Sequence, residues 1–352
     1  MKIKLGELAN IMTGNTPSMK VNEYYDSNDI PFIKPDSFKS HFKLEANSFI
    51  SNKAETKARI VGANCILVSC IGIIGKVGIT SQKVAFNQQI NSLKVKPHYD
   101  IEYIAYNLIF NKDRLQGICN SAVVPLINKS QFSNFEISIN KDIIIQRDIK
   151  SKLNLLSSII INNKKRLLLL DDIVKSRFVE MFGDPNATRT KYKLVPIHMV
   201  TDCMVPGRDK PKSFTGDIPW ITINDLNING YTNKSKLGLG LTIDEVKEVN
   251  RKCVPQGSVL MSCVGNLGLC SIASVDVVIN QQLHSYQCNE FINNLYLMYY
   301  LSFKNTYMNK IASSTTVLYM NKNACNNIPV LLPPIELQIS FAKYLNRINK
   351  LK

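Results

Sequence analysis

The heptapeptide SCIGIIG at Ser69–Gly75 returns as SCVGNLG at Ser262–Gly268, 193 residues further on. At that offset the match runs on without a gap. Asn87-Gln88-Gln89 matches Asn280-Gln281-Gln282, and Tyr106, Leu108 and Phe110 match Tyr299, Leu301 and Phe303. Ile118, Ser121, Val124, Asn128, Lys129 and Asn134 match Ile311, Ser314, Val317, Asn321, Lys322 and Asn327. Upstream the offset becomes 188, where DIPFIKPDSF (Asp29–Phe38) meets DIPWITINDL (Asp217–Leu226). KLGELANIMTG near the start resembles KLVPIHMVTDC. Conserved order of this kind means one domain of about 140 residues present twice, so each copy must bury its own core.

Each copy reads as mixed, with a curved sheet and a few helices. FIKPDSF and WITINDL are short apolar runs after a proline, and CILVSC and SVLMSC have the composition of buried strands. Each of the latter leads into Gly-x-x-Gly, a tight turn that only glycine tolerates. KVGITS and LCSIAS are the next strands, IEYIAYNLIF and NNLYLMYYLSF carry helical spacing, and EISI and IPVLL close the copies.

A different segment lies between them. From Asp142 to Phe182, Leu153, Ile160, Leu167, Val174 and Met181 recur every seven residues. Ile149, Leu156 and Leu170 fill a second seam position, and Asn163 and Arg177 interrupt it. The pattern predicts a coiled-coil helix of roughly 60 Å at 1.5 Å per residue, ended by Gly183-Asp184-Pro185. Such a helix needs a partner over its seam. The segment PPIELQISFAKYLNRINKLK, with Pro334 in the first turn, predicts a shorter helix packed antiparallel on the first. The expected organisation is therefore a domain over 1–139, a spacer helix over 140–185, a related domain over 186–332 and a short helix over 333–352.

The formal net charge is +16, which suggests a polyanionic partner. Residues 1–139 and 186–332 each carry a net +5, and the two helical segments +3 each, so the charge follows the duplication rather than a tail. The N-terminus lacks the apolar stretch of a signal peptide, and the most apolar windows are too short to span a bilayer. A cytoplasmic protein without membrane contact is expected. Nine cysteines with no CxxC pair and only 4 histidines do not suggest a zinc site. Reduced thiols in a reducing compartment are expected.

The order of domain, long helix, related domain and helix resembles the specificity subunit of type I restriction-modification systems. The resemblance is carried by DIPWITINDL and its counterpart at 29–38, the S-C-x-G-x-x-G turns, the NQQ triplets, IVKSRFVEMFGDP at the end of the long helix, and LLPPIELQ at 331–338. It covers the whole chain and departs only in the shortness of the second helix. It implies an α+β chain with two target recognition domains, each reading half of a bipartite site in double-stranded DNA. The long helices would form an antiparallel coiled coil that spaces the domains and docks two methyltransferase (modification) subunits. Restriction translocase subunits would join where cleavage accompanies modification. Catalysis would then reside elsewhere: no cofactor is expected in this chain, with S-adenosylmethionine, ATP and Mg on partner subunits.

The residues agree with a non-catalytic chain. Its only Pro-Pro, Pro333-Pro334, lacks the flanking groups with which an adenine methyltransferase holds a flipped base, and no phosphate-binding GxxxxGK[ST] loop is present. The alternative is a nuclease centre built from Asp36, Glu55 and Lys57, two acidic metal ligands and a lysine. The duplication argues against it, because Pro35-Asp36 aligns with Ile223-Asn224. The NQQ triplets admit two readings: bidentate adenine readers, or a structural amide network. Two readers of different half-sites should differ where they touch bases, so the shared triplet favours the structural reading. The divergent basic stretches are the better DNA-binding candidates: Lys34, Lys39, Lys43, Lys53, Lys57, Arg59 and Lys76 in the first copy, and Arg208, Lys210, Lys212, Lys234, Lys236 and Arg251 in the second. Such residues supply affinity through phosphates and, in a few cases, sequence through bases. Arg208, beside Gly207, is the strongest single candidate.

Overall fold

The computed structural model describes residues 1–119, 124–187, 189–207, 209–314 and 317–351. The chain divides into two compact units, 1–164 and 165–352.

In the first unit, Ile66–Ser69 is the centre of an antiparallel sheet ordered Ala9–Thr13, Ile90–Val95, Ile66–Ser69, Val77–Ile79. A second sheet is ordered Phe49–Ile50, Ile30–Ile33, Val84–Phe86, Ile60–Val61, with Ile30–Ile33 parallel to Val84–Phe86. Where the sequence suggested one curved sheet, the chain thus builds two. The reason lies in the central strand, which is apolar on both faces. Ile66 and Val68 face a core with the helix Ile101–Phe110, while Leu67 packs with Ile33, Val84 and Phe86 of the second sheet. One sheet with one helical layer would leave Leu67 in water.

The second unit repeats this plan. Its sheets are ordered Thr201–Met204, Leu283–Cys288, Val259–Ser262, Cys270–Ala273, Tyr231–Thr232 and Gly240–Leu241, Ile218–Ile221, Val278–Ile279. Val259 and Met261 face the core of the helix Asn294–Phe303, and Leu260 faces Ile221 and Ile279 of the smaller sheet. Each unit is closed by a two-stranded ribbon, Lys2–Lys4 with Glu136–Ser138 and Leu194–Pro196 with Pro329–Leu331.

The long helix runs from Ile143 to Phe182, and Gly183, at φ 88°, caps it by donating to the Val179 carbonyl at 2.8 Å. Its contacts differ from the heptad expectation. In the first unit the docking row is polar and spaced by about four. Gln146 is fully buried, Lys150 bridges to Asp100 at 3.0 Å, and Asn154 joins Glu102 and Tyr106, both at 2.7 Å. Ile149 packs partly on this core and Leu153 is half-buried, but Leu156 and Ile160 are exposed. In the second unit the buried row is Leu170, Val174, Phe178 and Phe182, with Met181 partly covered and Leu167 exposed. A seven-residue period averages two turns and misses a row that follows every fourth residue on one side of the helix.

The C-terminal helix Ile335–Asn349 lies antiparallel on that row. Phe341 meets Phe178 at 5.3 Å and Phe182 at 5.5 Å, Tyr344 lies under the Arg177 guanidinium, and Arg166 reaches the Leu351 carbonyl at 3.1 Å.

One device, unread in the sequence, ties the start of a helix to the domain before it in both units. Gln146 Oε1 accepts from the Asp100 amide at 2.8 Å, and its Nε2 donates to the Asn140 carbonyl at 2.7 Å. Gln338 Oε1 accepts from the Asn293 amide at 2.8 Å, and its Nε2 donates to the carbonyls of Pro333 at 2.9 Å and Phe291 at 3.1 Å. Both glutamines are fully buried. Gln338→Leu strands one amide and two carbonyls and is expected to destabilise the second unit by at least about 2 kcal/mol. Denaturant unfolding beside the surface control Lys343→Ala measures this, the control staying within about 0.5 kcal/mol of the parent.

Candidate nucleic-acid interface

The duplicated heptapeptide is a hydroxyl-organised turn. Ser69 Oγ donates to the Ile73 carbonyl at 2.5 Å and accepts from the Lys76 amide at 2.9 Å. Ser262 does the same with the Asn266 carbonyl at 2.5 Å and the Leu269 amide at 2.8 Å. Gly72, Gly75, Gly265 and Gly268 all sit at φ between 72° and 81°, the left-handed region that side chains disfavour. The residue after the serine ties this turn to the NQQ turn: the Cys70 amide donates to the Gln89 carbonyl at 2.7 Å, and that of Cys263 to the Gln282 carbonyl at 2.9 Å.

The NQQ turns are the structural network that the shared sequence favoured, in their outer residues. Asn87 Nδ2 donates to Gln89 Oε1 at 2.9 Å, and Asn280 Nδ2 to Gln282 Oε1 at 3.0 Å. The Asn87 and Asn280 amides donate to the Ile33 and Ile221 carbonyls, extending the parallel pairing of the second sheet in each unit. The middle residues, Gln88 and Gln281, are exposed.

Around the first of these turns the fold gathers loops that the sequence alone does not place together. Gly14 lies so close to the turn that a Cβ there would sit 2.3 Å from the Asn87 carbonyl oxygen. Asn15 follows, donating to the Lys57 carbonyl at 2.7 Å and accepting from the Arg59 amide at 2.6 Å, and Thr16 donates to Gln88 at 2.7 Å. Asn15, Thr16 and Gln88 thus present Lys57 and Arg59 as an exposed basic loop. The only sequence signal for this arrangement was the turn-forming composition of Gly14-Asn15-Thr16-Pro17.

In the second unit the corresponding loops also meet, with different chemistry. Arg251 is buried, its guanidinium 5.1 Å over the Trp220 ring and donating to the carbonyls of Ile279 at 2.9 Å and Asp209 at 2.6 Å. Glu245 receives Ser213 Oγ at 2.5 Å and the Thr215 amide at 3.2 Å. The Ser213 hydroxyl, with the Thr242 and Thr215 donors, holds the Glu245 carboxyl down at about 2. The loop therefore stays anchored as pH falls through the ordinary glutamate range.

The candidate cations fall into distinct settings. Lys39, Lys57, Arg59, Lys210 and Lys234 are exposed and make no salt bridge among the described residues. Lys43 pairs with Glu45 at 2.7 Å, Lys53 with Asp26 at 3.2 Å and Lys212 with Glu248 at 3.2 Å, all near the surface, where such pairs exchange readily for other anions. Lys34 lies 5.5 Å from the Phe32 ring centroid. Lys76 and Lys236 donate to the Pro35 and Asn224 carbonyls and brace turns. Arg251 is a structural residue, not a surface cation: Trp220 and two buried-side carbonyls outcompete solvent for it. Arg208 lies outside the described residues. The residues of the nuclease alternative do not build a metal centre. Glu55 pairs with Lys83 and Asp36 is exposed, and among the described residues no group of three or more His, Cys, Asp or Glu is placed to hold a metal.

With this geometry in view, the sequence matches the type I restriction modification DNA specificity domain over residues 1–170 and 205–352. The chain belongs to this family. The HindI specificity subunit of Haemophilus influenzae is 32% identical over 188 residues, covering 50% of this chain and 40% of that protein. The MjaIX specificity subunit of Methanocaldococcus jannaschii is 25% identical over 161 residues, covering 45% and 37%. The matches thus span about two fifths of the length of these relatives. The crystal structure of a type I restriction-modification S subunit from M. genitalium superposes with a TM-score of 0.59 at 12% identity, covering 99% of this chain and 91% of that one. This likeness extends the family assignment to the fold: two mixed α/β repeats and a long helix. No helix among the described residues is long and apolar enough to cross a membrane.

The placement of Arg251 separates structure from binding. Arg251→Ala removes the cover of Trp220 and two charged hydrogen bonds. It is expected to cost the second unit about 2–4 kcal/mol, seen as a lowered unfolding midpoint. The Lys57→Ala and Arg59→Ala pair should leave the midpoint within about 0.5 kcal/mol of the parent.

Proposed function

We propose that the chain is the DNA-reading, non-catalytic specificity subunit of a type I restriction-modification complex. The observation that carries this is the contrast within the duplication: one frame is built twice, while the loops held against its NQQ turns differ in charge and anchoring. Each unit binds one half of a bipartite double-stranded site. In the first unit Lys57, Arg59 and Lys39 contribute phosphate contacts and Gln88 is placed to reach a base edge. In the second unit Lys210, Lys234 and Gln281 take these roles. A methyltransferase bringing S-adenosylmethionine, and a translocase using ATP and Mg where cleavage is coupled, are the partners this reading requires. Leu155, Leu156, Ile159 and Ile160 of the first unit are exposed, and this apolar surface supports docking of two modification subunits along the helix. The helix itself acts as the spacer between the two readers.

Two measurements test the reading. Binding to duplex DNA, with the modification subunit present, should weaken steeply with salt. Lys57→Ala with Arg59→Ala should reduce the logarithmic salt slope by about 0.9 for each phosphate that is no longer neutralised. A salt-independent affinity would remove the phosphate-binding role. Exchange of residues 186–332 for the equivalent segment of another family member should change one half of the methylated motif and leave the other intact. Change in both halves would show that the units do not read independently.

A further inference from the structure

Gln88, at the tip of the first NQQ turn, is an exposed glutamine whose amide is held from one end. Its neighbours are pinned. The Asn87 amide donates to the Ile33 carbonyl at 3.1 Å, and the Gln89 amide donates to Asn87 Oδ1 at 3.2 Å. Thr16, which faces it, is pinned on both sides as well. The Asn15 amide donates to the Phe86 carbonyl at 3.0 Å, and the Pro17 carbonyl accepts from the Tyr25 hydroxyl at 2.7 Å. Pro17 also restricts Thr16 to extended backbone. Between these two anchored segments the Thr16 hydroxyl donates to Gln88 Oε1 at 2.7 Å. The oxygen of the Gln88 amide is thereby engaged. Its nitrogen, with two N–H donors, has no hydrogen-bond partner among the described residues.

The second unit supplies the contrast. Its register sets the correspondence, because Met12 pairs with Ser92 as Met204 pairs with Ser285. Counting on from these pairs places Val205, Pro206 and Gly207 where the first unit has Thr13, Gly14 and Asn15. The residue counted against Thr16 is Arg208, which carries no hydroxyl. Gln281 is exposed like Gln88, but among the described residues its side chain makes no hydrogen bond. The shared glutamine is therefore tethered in one unit and untethered in the other.

Resting on the DNA-reading role proposed above, we infer that Thr16 sets the base specificity of the first unit: by engaging Gln88 Oε1 it makes the glutamine a donor that selects guanine in that half of the site. A glutamine that reads adenine uses both ends, Oε1 accepting from N6 while Nε2 donates to N7. In Gln88 the oxygen is turned to Thr16, and the nitrogen is the group left for a base. Guanine presents the matching edge in the major groove, N7 and O6, two acceptors side by side. Gln88 is the reader and Thr16 the positioning residue. This also reconciles a shared triplet with two different half-sites, since the difference lies in the residue that holds the glutamine rather than in the glutamine.

The test is selection from a duplex DNA library of random sequence by the full chain with its modification subunit, the bound DNA being sequenced. The half of the motif that survives exchange of residues 186–332 belongs to the first unit. That half is expected to contain a guanine preferred by about 5- to 150-fold, a preference that Gln88→Ala abolishes. Thr16→Val keeps the shape of the side chain and removes the hydroxyl. It should weaken this preference by about 5-fold or more, with the salt slope unmoved because no phosphate contact is lost. Thr16→Ser should restore the preference. Gln88→Glu exchanges the donor for an acceptor and should move the preference at that position from guanine to cytosine, whose N4 donates. The Thr16 and Gln88 variants lie on separate exposed segments, so the test survives poor folding of either. A first half-site without guanine, or one that neither Thr16→Val nor Gln88→Glu alters, would overturn the inference and leave the unit a DNA reader. Thr16→Val weakening all sequences equally would also overturn it, by giving Thr16 a structural role. A parent chain that selects no motif would overturn the DNA-reading role, and this inference with it.

Discussion

The register between the two central strands of each unit is the constraint on which everything else hangs. Ile66 opposes Leu93 and Ser69 opposes Ile90, and Val259 opposes Tyr286 and Ser262 opposes Leu283. A slip of one residue would turn Leu67 or Leu260 toward the helix and Ile66 or Val259 toward the smaller sheet, exchanging both faces at once. It would also part the serine turn from the NQQ turn, since the cysteine amide meets the third NQQ carbonyl only in this register. Because both faces of the strand are covered, the apolar pattern alone does not fix the phase. The glycines at positive φ and the serine hydroxyl end the strand at one residue and so select it.

This explains what could be read from the chain. The repeat, the buried strands, the turn glycines and the helices Ile101–Phe110 and Asn294–Phe303 lie within a few residues and are written locally, and the structure places them where the sequence did. The second sheet was not legible, because Phe49–Ile50 and Ile60–Val61 are two-residue strands defined by the partner they meet. The basic candidates show the same limit. Lys57 and Arg251 look alike in sequence, yet one is presented by Asn15 and the other covers Trp220. The aromatic partner differs between the units: Trp220 carries the Arg251 guanidinium, whereas Phe32 carries Lys34.

The long helix was legible as a helix; of its expected seam, Leu170 and Val174 are buried, whereas Leu156, Ile160 and Leu167 are exposed. Its first part is held by buried polar groups, Gln146 and Asn154 with the Lys150–Asp100 pair, which no apolar period can reveal. Its later part is held by Phe178, stacked on Tyr296, and by Phe182, edge-on to Tyr296 and Phe341. A buried amide is directional where an apolar seam is not. Gln146 accepts only if the amide of Asp100 arrives at the right point, so the helix start is fixed in rotation as well as in position.

The same directional logic accounts for how the frame carries loops of different sequence. The polar groups of a loop must be satisfied wherever solvent is excluded. Here they are satisfied by side chains inside the loop layer, Asn15 for the Lys57–Arg59 backbone and Glu245 for Ser213 and Thr215. The sheets contribute only the NQQ turn, and through it a fixed edge. A loop can therefore change charge or length if it brings its own acceptor, without drawing on the strand register beneath. What the frame does not allow is a bulky residue at Gly14, where the carbonyl of Asn87 leaves no room for a Cβ. That close approach is the hinge of the arrangement in the first unit: it sets how closely the variable layer meets the fixed one, and so where Lys57, Arg59 and Gln88 stand relative to one another.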